Sequence, residues 1–322
     1  MNEKDNFLTI KDLTIEYTSG REIIHAVNGV SLSMKKGSTL GLVGETGAGK
    51  TTIAKSIMRI LPDPPARFIN GEIVLDGVDV MKLSEEEMLK YRGNKIAMIF
   101  QDPMTALNPL MTVGTQILEV IQLHSPELKP HEAEAKAVEM LEMVGIPGQR
   151  YNEYPFQFSG GMKQRVVIAM ALVCNPELLL ADEPTTALDV TIQAQVLDMI
   201  RELKEKYQTS MLLITHDLGV IGQNCDDVAV IYAGQIVESG TKRDIFKNPT
   251  HPYTVGLFNS LPSMSKTVKR LTPIAGMPAN PADLPKGCPF HPRCPKATEK
   301  CNSGEMPNVE VSEGHFCRCC NI

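Results

Sequence analysis

Nine residues constrain this 322-residue chain more than any others: Gly44, Glu45, Thr46, Gly47, Ala48, Gly49, Lys50, Thr51 and Thr52. They follow a short apolar run, Leu40–Val43, and precede a helical pattern over Ile53–Ile60. A glycine-rich bend between a buried strand and a helix lets successive backbone N–H groups turn toward one centre, where they cradle phosphate oxygens. The positive end of the following helix adds to the attraction for an anion. Lys50 is placed to reach outer phosphates as a point charge, and the Thr51 hydroxyl to ligate Mg2+. Spacing, lysine and threonine are all present, so a bend that binds nothing is the weaker reading.

The surroundings of this loop set the fold class. Leu40–Val43, Ile96–Ile99, Leu178–Ala181 and Met211–Ile214 are short and apolar throughout, as strands buried on both faces are. Helical patterns lie between them, the clearest over Asp189–Lys206 with Ile192, Val196, Met199, Ile200 and Leu203 on one face. That alternation predicts an α/β core. The opening segment instead alternates apolar and polar residues from Leu8 to Tyr17, and with Ile23–Met34 it predicts antiparallel strands exposed on one face. From about Thr112 to Cys174 no strand is evident; Glu132–Val144 and Gly161–Cys174 read as helices of an insertion.

A second apolar run ends in two carboxylates, Asp182 and Glu183. Asp182 at the end of a buried strand is placed to hold Mg2+ through water, and Glu183 to polarise an attacking water. A helix-capping pair is the bland alternative, and the phosphate-binding loop makes it the weaker one.

Composition excludes several function classes. Lys and Arg number 32 against 38 Asp and Glu, a net charge of −6, which argues against nucleic-acid binding and direct attraction to anionic lipid. The longest uncharged apolar run, Val166–Cys174, is nine residues, too short to span a bilayer. No apolar stretch follows a basic cap in the first ten residues, so no secretory signal is expected. Six of the eight cysteines lie after residue 287 and eleven of the 22 prolines after Asn248, which predicts a main domain over 1–250 and a different C-terminal region over 251–322.

Further motifs then fall into a recognisable order. Ser159-Gly160-Gly161-Met162-Lys163-Gln164-Arg165 resembles the signature of ATP-binding-cassette (ABC) ATPases, with Phe158 for the usual Leu and Met162 for the usual Gln. Gln101 is placed like the family's Q-loop glutamine, Ala187-Leu188-Asp189 like its D-loop, His216 like its switch histidine and Tyr17 like the aromatic that stacks on adenine. The resemblance implies a P-loop NTPase core of the ABC ATPase type, with an antiparallel β subdomain and a helical subdomain at about 101–174. It implies ATP bound at Tyr17, residues 44–52, Gln101 and Asp182, and Mg2+ held by Thr51, Gln101 and Asp182. It further implies a catalytic role for Glu183, His216 and Gln101, and a second phosphate nest at Ser159, Gly160 and Gly161 with Asp189 nearby. Two such domains pair head to tail around ATP. The absence of an NKxD motif after Thr52 speaks against a GTPase, and one P-loop without sustained heptads against a soluble ABC ATPase of ribosomes or DNA repair.

Residues 101–109, His251-Pro252-Tyr253-Thr254 and Gly287–Pro295 look like the ATPase subunits of dipeptide and oligopeptide importers, with nickel and sugar importers as sister systems. The partners so implied are two transmembrane permease subunits, a paralogous ATPase or a second copy of this chain, and an external peptide-binding protein. The place implied is the cytoplasmic face of the cell membrane, as a peripheral subunit.

The Cys-rich C-terminal appendage has the spacing C-x5-C-x6-C followed by Cys317, Cys319 and Cys320, without the close pairs typical of zinc knuckles. Four thiolates suit an iron–sulfur cluster, of 4Fe-4S type, in a segment with few large apolar residues. The family pattern favours Cys288, Cys294, Cys301 and Cys319 as its ligands, leaving Cys317 and Cys320 as spares. Zinc is the alternative, followed by unliganded thiols and by disulfides, which a reducing compartment disfavours.

Overall fold

Alternation at the start of the chain produces β1 (Asn6–Ser19), which buries Leu8, Ile10, Leu13 and Ile15 while Lys11 stays exposed. The computed structural model describes residues 6–186, 188–260 and 273–322. By contact, the chain divides into two units, Met1–Met81 with Ile214–Ile322, and Lys82–Leu213.

In the first unit, β1 pairs antiparallel with β2 (Glu22–Lys35), with Leu8 opposite Met34 and Tyr17 opposite Ile24. β3 (Thr39–Val43) is buried along its whole length and leads through the glycine-rich bend into α1 (Lys50–Ile57). β4 (Ala66–Leu75) flanks β1 on its other side and carries β5 (Val78–Asp79), giving a four-stranded sheet in the order β2-β1-β4-β5.

The second unit opens with α2 (Glu85–Tyr91), whose start is fixed by a capping box: Ser84 Oγ accepts from Glu87 N, and Glu87 Oε2 accepts from Ser84 N. Next comes β6 (Ile96–Ile99), parallel to β7 (Leu178–Asp182) with Ile96 opposite Leu178 and Ile99 opposite Ala181. Between these two strands lie the helices α3 (Pro103–Ala106), α4 (Val113–His124), α5 (Pro130–Met143) and α6 (Gly160–Leu172). The crossover between neighbouring parallel strands thus carries the helical insertion. α7 (Val190–Tyr207) and the wholly buried β8 (Ser210–Thr215) follow, and the boundary between the units falls within β8.

The chain then re-enters the first unit through α8 (Leu218–Asn224) and β9 (Asp227–Tyr232), which runs parallel to β3 with Leu40 opposite Asp227. β10 (Gln235–Thr241) turns back on β9, and α9 (Lys242–Lys247) and α10 (Pro252–Asn259) follow. The cysteine-rich end adds β11 (Asn308–Ser312) and β12 (His315–Arg318), and β12 pairs with β10, so the sheet in this unit reads β11-β12-β10-β9-β3. Glu238 of β10 anchors the joint. Its buried carboxylate accepts from His315 Nε2 at 2.8 Å, Thr250 N at 2.8 Å and His251 N at 2.9 Å, the multiple donors that a buried charge requires.

Among the described residues no helix is long and apolar enough to cross a membrane. The buried parallel strands carry the site residues at their ends, so cavities in them should be costly. Leu180→Ala, at a position of β7 with no exposure, is expected to lower unfolding stability by about 2–5 kcal/mol in urea titrations.

Candidate functional site

The glycine-rich bend of the first unit is tied down on all sides. Gly49 has φ 101°, and a Cβ there would stand 2.3 Å from the carbonyl oxygen of Ala26, so only glycine fits. Ala48 N donates to Glu45 O at 3.2 Å across the bend, and Gly234 N donates to Ala48 O at 3.0 Å from the β9–β10 turn. Lys50 is 6% exposed, and its Nζ donates to Gly44 O at 2.7 Å and Glu45 O at 3.0 Å, which holds the ammonium group over the bend. Thr46 and Gly47 form the exposed rim, while Thr51 and Thr52 open α1 half-buried. Tyr17 is also half-buried, and its Oη lies 3.4 Å from Thr52 Oγ1, which brings the β1 aromatic to the start of this helix.

In the second unit, β7 ends in Asp182, 2% exposed. Glu183 follows with φ 46°, the left-handed region that non-glycine residues adopt at a cost. Two donors hold its carboxylate. Gln101 Nε2 donates to Glu183 Oε2 at 3.0 Å, and Thr186 Oγ1 donates to the same oxygen at 2.9 Å. The structure therefore joins Gln101 and Glu183, expected as catalytic residues. It adds Thr186, which sequence reasoning passed over although its spacing of three residues from Glu183 was a signal. Gln164 was likewise missed; its Nε2 donates to Pro184 O at 2.6 Å and braces the turn after the carboxylates.

The signature segment of this unit is a helix N-terminus. Ser159 caps α6, its Oγ accepting from Met162 N at 3.4 Å, and both Ser159 and Gly160 are exposed. Gly161 is required by packing, because a Cβ there would stand 2.7 Å from Ile192 Cγ2 of α7. Asp189 caps α7 through Ile192 N at 3.0 Å. Ala187, part of the same expected motif, lies outside the described residues. His216 follows β8 in the first unit and is exposed.

All six cysteines at the C-terminal end are free thiols, as are Cys174 and Cys225. Among the described residues no three His, Cys, Asp or Glu side chains are gathered closely enough to hold one metal ion. The expected quartet, whether for an iron–sulfur cluster or for zinc, is thus not gathered into a metal site among the described residues. Cys301 Sγ is turned instead toward Cys320 Sγ at 3.5 Å and accepts from Thr298 N and Asn321 Nδ2, each at 3.4 Å. Cys288, Cys294, Cys301 and Cys319 nonetheless line one small cavity, together with Cys320, His251, Phe290 and His291. Of the two cysteines outside the expected quartet, Cys320 lines the cavity, whereas Cys317 is buried in β12 opposite Glu238.

Burial pushes the Cys288 thiol up to about 11. Burial also acts upward on Cys301, but hydrogen bonds from Thr298, Cys320 and Asn321 outweigh it and favour the thiolate. His251 is pushed down to about 4 by burial and is therefore a neutral imidazole. Its Nδ1 accepts from Tyr253 N at 3.1 Å, so the ring proton sits on Nε2, which has no hydrogen-bond partner among the described residues.

Comparison with known proteins agrees with this geometry. The family model for ABC transporters matches residues 27–186, and that for the C-terminal region of oligopeptide/dipeptide transporters matches residues 237–301. The chain is 50% identical over 312 residues to the oligopeptide transport ATP-binding protein OppD of Bacillus subtilis, covering 96% of this chain and 87% of that one. It is 46% identical to the dipeptide transport ATP-binding protein DppD of the same organism, covering 98% and 94%. Among solved structures, the dimeric post-hydrolysis state of the ATP-binding cassette MJ0796, bound to ADP and phosphate, superposes with a TM-score of 0.66 at 29% identity, covering 73% of this chain and 99% of that one.

The loop geometry gives a direct test. Gly49→Ala forces a methyl group against Ala26 O, and it is expected to abolish binding of a fluorescent nucleoside triphosphate in an equilibrium titration.

Proposed function

This chain belongs to the ATP-binding subunits of oligopeptide and dipeptide ABC transporters, and from that premise we propose that it hydrolyses ATP to drive uptake of dipeptides or oligopeptides. The observation that carries the catalytic part is the Glu183 carboxylate, held by Gln101 and Thr186 beside the buried Asp182. The loop 44–52 binds the phosphates, with Lys50 on the outer ones and Tyr17 against the adenine. Thr51, Gln101 and, through water, Asp182 hold Mg2+, which neutralises charge on the phosphates. Glu183 acts as general base or positions the attacking water, and His216 contacts the terminal phosphate.

Ser159 and Gly160 are exposed and Gly161 is half-buried at the N-terminus of a 13-residue helix, which suits them to phosphate of a nucleotide bound by a second subunit. Asp189, capping the neighbouring helix, supports that surface. The subunit pairs head to tail with a paralogue or with a second copy of itself. ATP is then both substrate and interfacial contact, and loss of the terminal phosphate lets the pair part. Two permease subunits receive the motion, fed by an external peptide-binding protein, and this chain works at the cytoplasmic face of the membrane. Leu110, Leu123 and Phe156 of the helical unit are 85%, 74% and 73% exposed, and Phe156 stacks on Tyr154, which supports an apolar docking surface for those subunits.

The reading extends to an iron–sulfur cluster on Cys288, Cys294, Cys301 and Cys319. Their shared cavity and the stabilised Cys301 thiolate support it. A polynuclear group takes its four thiolates around a wider centre than one ion does. Bound there, it would cross-link segments that have little core of their own; ATP hydrolysis has no redox step for it to serve. Anaerobically purified protein should carry about four iron atoms per chain and absorb in the visible, and Cys301→Ser should lose both. Protein lacking iron and absorbance rejects the cluster.

For the catalytic assignment, Glu183→Gln is expected to lower ATP turnover by about 10²–10⁴-fold while ATP binding and ATP-driven pairing persist. Turnover at the wild-type rate would remove Glu183 from the mechanism.

A further inference from the structure

Glu45 puts a negative charge inside a loop that must receive a far more negative triphosphate. A residue from the other end of the chain answers it. Arg293 Nη1 donates to Glu45 Oε2 at 2.8 Å and Nη2 to Oε1 at 3.1 Å, a two-pronged contact across 248 positions of sequence. The Arg293 side chain is 5% exposed. Its Nε donates to Ala275 O at 3.0 Å, and its guanidinium lies 5.8 Å and 5.9 Å from the ring centroids of Tyr232 and Phe290.

The backbone of the same loop residue is held as well, Glu45 N donating to Tyr253 Oη at 3.0 Å. Tyr253 is buried against Tyr232 and Phe290, with ring centroids 4.7 Å and 5.3 Å away. This aromatic block adjoins the cysteines. Phe290 and His251 line the cysteine cavity, and Arg293 directly precedes Cys294.

We propose that Arg293 and Tyr253 are positioning residues for the phosphate-binding loop, neutralising Glu45 and holding its peptide, so that nucleotide affinity depends on the folded state of the cysteine-bearing tail. The proposal rests on the reading of residues 44–52 as an ATP site. Neither residue reaches the phosphates in this account; both act through Glu45. Loss of Arg293 leaves a carboxylate uncompensated beside the triphosphate, and like charges at short range in a partly buried setting repel strongly.

The test is equilibrium binding of ATP to the intact chain, followed by calorimetry. Arg293→Ala is expected to weaken ATP binding by about tenfold, and Arg293→Lys, which keeps the charge but not the fork, by about threefold. Adding Glu45→Gln to Arg293→Ala is expected to recover at least about threefold, because the uncompensated charge is then gone. A role confined to folding of the tail predicts no such recovery, so its absence overturns the proposal, as does unchanged affinity in Arg293→Ala. Should Arg293→Ala fail to fold, Tyr253→Phe decides: it keeps the ring, removes the hydroxyl that accepts from Glu45 N, and is expected to weaken binding by about threefold, with wild-type affinity overturning the proposal. Wild-type protein that binds no ATP, or a Lys50→Ala protein that binds it normally, would strike down the nucleotide site itself and the proposal with it.

Discussion

A loop built to hold phosphate concentrates positive potential in a few ångströms, and the rest of the first unit is organised around keeping that loop bent. The Lys50 ammonium is nearly buried, and a buried cation is unfavourable without acceptors. Gly44 O and Glu45 O supply them from the bend itself, so the lysine and the curvature hold each other in place. Gly49 lets β2 come within contact distance through Ala26, and the β9–β10 turn bonds to Ala48 O. The strands below explain why this works. β3 and β9 are buried and paired in parallel, so the end of β3 presents the bend from a position with little freedom.

The second unit solves a different problem, that of aiming a carboxylate. Glu183 stands in a backbone conformation that costs free energy, directly after the buried Asp182. Bonds from Gln101, Thr186 and, one residue on, Gln164 to Pro184 O offset that cost and leave one orientation. Gln101 leaves β6 and Glu183 leaves β7, two paired parallel strands, so their ends come together by register rather than by loop conformation. The helical insertion lies in the crossover between those two strands. The insertion is therefore joined along the chain to Gln101 at one end and, through β7, to the Asp182–Glu183 turn at the other.

Local chemistry made much of this legible in the sequence. Residues 44–52 declare a phosphate-binding bend because glycine, lysine and threonine serve it at fixed spacing. The four apolar runs mark buried strands because nothing polar interrupts them. Ser159 and Asp189 announce helix starts, and both prove to be caps. What was not legible depends on long-range pairing. Glu238 lies in a strand of ordinary pattern, and nothing nearby foretells that His315, Thr250 and His251 will converge on it. Arg293 reads as one basic residue among prolines, with its partner 248 positions away. Cys317 and Cys320 are three residues apart, yet β12 turns the first toward β10, and the chain beyond the strand brings the second to the cavity.

The joining of a cysteine-rich tail to a nucleotide loop has a physical logic. Residues 273–322 bury few large apolar side chains, chiefly Phe290 and Met306, so the tail's folding free energy is small compared with that of the strand core. A marginal segment is one whose population a ligand or an oxidation can shift appreciably with a modest interaction energy. A strongly hydrophobic domain in the same place would clamp Glu45 regardless of conditions. The tail engages the loop through one guanidinium fork, and α10 beside it through the Tyr253 hydroxyl, both directional contacts that are lost within about an ångström of displacement. Weak internal cohesion combined with geometrically strict contacts makes the tail a sensitive support for the loop, because the loop is held in full only while the tail is in its folded place.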